Sequence, residues 1–126
     1  MSARPDPLGA YRQAVAEARA PAAIIRAARL CSGLSLDDAM PALLATASRS
    51  DDLFDRWAAQ WVKRYRQEFD PKPDEREVAL VEGALRALPG FDTTAAIAAD
   101  ALAQFLELRG MDYGRAAVVR FSDRLP

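Results

Sequence analysis

A chain of 126 residues has the size of one domain and can bury a core without disulfides or structural metal. An apolar share of 51% beside 28% charged residues sets it apart from disordered chains, and a net charge of -1 gives no long-range attraction to nucleic acid or anionic lipid. Histidine is absent, which removes the commonest general base and the commonest metal ligand.

No stretch alternates apolar and polar residues over a strand's length, whereas helical spacing recurs between proline, glycine and capping residues. The expected fold is therefore all-α: one compact bundle of about five to seven helices. Asp6-Pro7 reads as a cap followed by proline at the first helical position, with Leu8, Tyr11, Val15 and Ala18 on one face. Pro21 opens a second helix that carries Ile24, Ile25, Ala28 and Leu30 inward and stops at Gly33. Ser35 and Asp38 have the spacing of a capping box. Pro41 argues for a later start, with Asp38 as the cap, because proline is tolerated in the first turn and not beyond it. Met40, Leu43, Leu44 and Ala47 then face inward.

The strongest signal is a two-faced helix over residues 51–69. Ser50 is its expected cap, and Asp51 and Asp52 occupy the first turn, where the helix dipole favours anions. Leu53, Phe54, Trp57, Trp61, Val62 and Tyr65 keep helical phase as a core stripe that runs on to Phe69. Residues 70–76 form a short corner. Asp74 and Glu77 have capping spacing before a fifth helix with Val78, Val81, Leu85 and Leu88 inside. Asp92 or Thr93 caps a sixth helix that ends at Gly110. It is apolar nearly all round, which places it centrally or under a partner. Asp112 is the expected cap of a last helix with Tyr113, Ala117, Val118 and Phe121, followed by a frayed tail from Ser122.

Few residues suggest chemistry. Asp37, Asp38, Asp51, Asp52 and Asp55 form an acidic group in sequence, and Asp51 with Asp55, spaced i and i+4, is its best pair for a divalent metal. Helix starts explain most of these carboxylates without a metal. Arg115, Arg120 and Arg124 have the means to pin an anion, although such spacing more often marks a solvated face. The lone thiol, Cys31, reads as a small core hydrophobe in a reducing compartment, and the first residues lack a secretory apolar segment, so the expected location is the cytoplasm. The excess of arginine over Lys63 and Lys72, with many alanines, points to a G+C-rich bacterial genome.

Residues 25–57 resemble the opening of phage-repressor-type helix-turn-helix domains. The cadence is a helix ending in arginine, then Gly33-Leu34-Ser35-Leu36, an acidic pair, a short helix, and Ser48-Arg49-Ser50 before the next helix. The resemblance covers roughly a quarter of the chain and implies DNA binding with Arg49 at the duplex.

The leading expectation is a protein that works by binding another protein, or a second copy of itself, as an immunity protein, adaptor, chaperone or regulator does. The candidate surface is the outer face of the long helix: Arg56, Gln60, Lys63, Arg64, Arg66 and Gln67. DNA binding ranks second and a metal-dependent enzyme third. No catalytic residue, cofactor or membrane contact is expected.

Overall fold

The computed structural model describes residues 6–49 and 51–125. Seven α-helices fill it: α1 (Pro7–Ala16), α2 (Pro21–Arg29), α3 (Leu36–Thr46), α4 (Leu53–Glu68), α5 (Glu75–Ala87), α6 (Thr93–Leu108) and α7 (Asp112–Asp123), with a 3-10 turn at Leu88–Gly90. There is no strand among the described residues, and the fold is one all-α bundle, as the periodicity predicts.

Helices α3 to α7 close a ring. Each packs on the next in sequence, and α7 returns to α3. Their inward residues, among them Met40, Trp61, Val81, Leu102 and Val118, share one core. The α1–α2 hairpin lies outside this ring against α3, where Tyr11, Val15, Ala28 and Ala42 form a smaller cluster.

The most enclosed element is α3. Residues 40–47 are all buried. Of the two expectations for α6, a central place or a cover by a partner, the first holds only for one face of the helix. It buries Ala95, Ala99, Leu102 and Leu106 but leaves Ile97 67% and Leu108 80% exposed. Asp37, Asp38 and Pro41 interrupt the apolar pattern of α3, which is why its central place is hard to read from sequence.

The start of α3 corrects the choice of cap. Ser35, not Asp38, is the cap: its hydroxyl accepts from the Asp38 N–H at 3.0 Å and donates to the Asp38 carboxylate at 3.1 Å. Pro41 therefore lies inside the helix, where it lacks an N–H and crowds the carbonyl one turn back. Tyr11 from α1 accommodates the defect. Its hydroxyl donates to the Asp38 carbonyl at 2.6 Å and accepts from the Ala42 N–H at 3.1 Å. Those are the two groups that an unbroken α-helix pairs with each other. Tyr11 is fully buried, and burial pushes its hydroxyl well above the usual phenol range. Arg12, the next residue, grips the Asp38 carboxylate at 2.9 Å.

The cap of α7 comes from another helix. Asp112 is the first helical residue and Met111 the cap position, which offers no side-chain bond. Instead the Asp37 carboxylate of α3 accepts from the Gly114 N–H in the first turn of α7. Gly114 is buried, and a Cβ there would meet Asp37 Oδ1 at 3.1 Å and the Met40 Cβ at 3.2 Å, so glycine permits the close crossing. An Asp37→Ala variant is expected to lose about 1 kcal/mol of stability, with Asp37→Asn retaining most of it, because an amide oxygen still accepts. Urea denaturation of both variants measures this, and equal losses would show that charge rather than the hydrogen bond matters.

Other boundaries differ from expectation for local reasons. Ala18 follows α1 in the left-handed conformation (φ 52°) and is exposed. α2 ends at Arg29, so Leu30 turns outward, 71% exposed, and Gly33 (φ 73°) lies in the following turn. Asp92 is the cap of α6, accepting from the Ala95 N–H at 2.9 Å. The expected frayed tail from Ser122 is instead packed as far as Leu125: α7 runs to Asp123 and Leu125 lies on the core. No helix among the described residues is long and apolar enough to cross a membrane.

Candidate interaction surface

The helix α4 keeps the two faces that its periodicity predicts, with a later start. It begins at Leu53. Ser50, the expected cap, lies outside the described residues. The capping bond that is present comes from Asp51, whose carboxylate accepts from the Leu53 N–H at 3.2 Å. Asp51 thus precedes the helix, and Asp51 and Asp55 are not an i,i+4 pair on one helical face, as the metal reading required. The Arg49 guanidinium holds the Asp51 carboxyl down to about 2, well below the usual carboxylate range. Arg49, the expected DNA contact, is the partner in that ion pair. No group of three metal-ligating side chains occurs among the described residues.

The inner stripe of α4 is built as expected at its centre. Trp61 and Tyr65 are buried and stacked at 5.4 Å, and the Trp61 indole N–H donates to the Leu36 carbonyl at 3.0 Å. Trp57 departs from the stripe. It is only half-buried and carries the Arg29 guanidinium over its ring at 5.8 Å.

The six expected surface residues divide by phase. Arg56, Gln60, Lys63 and Gln67 share one exposed stripe. Arg56 pairs with Asp52 at 3.4 Å. Arg66 lies on one flank and reaches Glu75 at the start of α5 at 3.3 Å. Arg64 lies on the opposite flank, half-buried, with Glu68 at 2.6 Å. That second flank borders a groove between α2, α3 and α4 with a cavity of about 250 Å³. Ala28, Leu34, Ala42 and Leu43 line its floor, Trp57 and Trp61 one wall, and Arg29, Gln60 and Arg64 its rim.

Sequence reasoning found Gln60 and Arg64 and missed Arg29 and Trp57. Arg29 had no visible role before its helix was placed, and Trp57 was assigned to the core by phase alone. Trp57 still touches the ring's core, but its ring also faces α2, and that neighbour is not visible from the phase of α4 alone.

No family model, curated protein or solved structure matches this chain.

Proposed function

We propose that this protein acts by binding another protein, and that the groove between α2, α3 and α4 is where the partner docks. The observation that carries the reading is a half-buried Trp57 over an apolar trough, beside cationic and amide side chains on the rim. Arg29 forms no ion pair among the described residues. Aromatic and arginine side chains around a desolvated trough are the usual anchors of protein interfaces. The chemistry fits an amphipathic helix that lays apolar residues along the trough and acidic residues toward Arg29, Arg64 and Lys63. A cytoplasmic protein of a bacterium is the setting that the lone thiol and the arginine-rich composition favour.

The test places a photo-crosslinking residue at Gln60, with Gln104 on α6 as the control site, in the protein's native host. A protein adduct from Gln60 and not from Gln104, lost when Arg29 and Arg64 are both changed to glutamate, supports the reading. Equal adducts at both sites, an adduct only to a second copy of the chain, or a salt-dependent duplex-DNA complex abolished by Arg49→Ala would each overturn it.

A further inference from the structure

A second groove, on the opposite side of α3, differs in character from the first. It lies between the α1–α2 connection, α3 and the last turns of α7, with a cavity of about 220 Å³. Its floor is apolar: Val15, Ile24, Pro41, Leu44 and Ala117. A smaller cavity of about 110 Å³ continues it past Pro21 and Ala45 to Phe91 and Phe121. Three arginines, Arg19, Arg120 and Arg124, border it, and no acidic residue lines either part.

Arg120, in the last turn of α7, and Arg124, at its C-terminal cap, are one turn apart, and neither forms an ion pair among the described residues; Arg124 lies over the Phe121 ring at 5.7 Å. Arg19 pairs with Glu17 at 2.7 Å, and Arg115, grouped with the others in the sequence, belongs elsewhere, 3.7 Å from Glu107. Two helix ends border the groove: Ala18 closes α1, its N–H on the Val15 carbonyl, and Phe91 ends the 3-10 turn, both in the left-handed conformation.

We infer that this groove is a binding site for a small amphipathic anion, with a carboxylate or phosphate head held by Arg120 and Arg124 and an apolar body along Leu44, Ala45 and Phe121. Planar guanidinium groups match such a head in paired hydrogen bonds, and a long apolar trough with few convergent polar groups is the usual form of a small-ligand site. The site is separate from the α2–α3–α4 groove and does not depend on the protein-binding reading.

Sodium decanoate below its micelle concentration is the probe, followed by calorimetry and by backbone amide shifts. Saturable binding is expected, with shifts centred on Ala18, Ala45 and Ala117. An Arg120→Gln/Arg124→Gln double variant, verified as folded by circular dichroism, is expected to bind at least about tenfold more weakly, the loss set by two charged hydrogen bonds. Decyltrimethylammonium, with the same chain and opposite charge, is expected not to bind. Overturning results are no saturable decanoate binding, equal affinity in the double variant, equal binding of the cation, or binding to anionic lipid vesicles without binding to soluble decanoate.

Discussion

Replacing Tyr11 with phenylalanine is expected to destabilise the protein by about 2–4 kcal/mol, although it removes one oxygen atom. The ring stays and the apolar cluster around it keeps its volume. What goes is the hydroxyl that serves both the Asp38 carbonyl and the Ala42 N–H. Each is left to find a partner across a proline step in a buried helix, and an unsatisfied buried backbone group costs about 1–3 kcal/mol. A double-mutant cycle separates this from general loosening. In the Tyr11→Phe background, Pro41→Ala restores a backbone N–H and removes the ring that crowds the Asp37 carbonyl, so α3 can close on itself. Pro41→Ala is therefore expected to recover part of the loss there, and to be worth less in the wild type, where Tyr11 already serves the gap. Urea midpoints of the four proteins measure the coupling. A Tyr11→Phe loss below about 0.5 kcal/mol, the scale of an ordinary surface change, would show that the helix closes without the hydroxyl.

The second large effect is expected at Arg109. Its side chain leaves the end of α6 and joins three elements. It donates to the Glu77 carboxylate of α5 at 2.6 Å and to the Pro71 carbonyl of the corner at 3.0 Å, and it lies 5.5 Å over the Phe69 ring. Glu77 also accepts from the Tyr65 hydroxyl at 3.0 Å. Both charged side chains are largely covered, at 16% and 23% exposure, so solvent screens them little. Arg109→Ala strands the carboxylate and unties the corner, at an expected cost of about 2–3 kcal/mol. Glu77→Gln should cost less, because the amide oxygen still accepts from Tyr65 and Arg109. Thermal unfolding of the two variants tests the order. A costlier Glu77→Gln would mean that the carboxylate's charge, rather than the arginine's bridging, holds the corner.

How much of this was legible in the sequence differs by element. Helix type and order were, because proline, glycine and capping residues punctuate a strong 3.6-residue pattern. Asp6, Asp74 and Asp92 cap their own helices as their spacing predicts. Three of the failures share one cause, which is a partner supplied from far along the chain. Pro41 argued for a later helix start because nothing local could repair it, and the repair comes from Tyr11. Asp112 was taken as a cap because it stands in the right place, and the cap in use is Asp37. Glu77 has capping spacing, yet its carboxylate goes to Tyr65 and Arg109. The candidate surface was legible in part. Phase located the outer stripe of α4, but a groove is a property of three helices at once. Neither the trough beside Trp57 nor the one beneath Arg120 could be seen before α2 and α7 were placed on α3.

The bond from Asp37 to the first turn of α7 spans 77 residues of chain. It ties the most enclosed helix to one that a ribosome delivers much later. Until then Met40 and Leu44, which the finished ring covers, have no α7 to pack against. During synthesis the chain must carry that apolar face uncovered, as a local helix pair would not. The ring can close only once α7 has emerged.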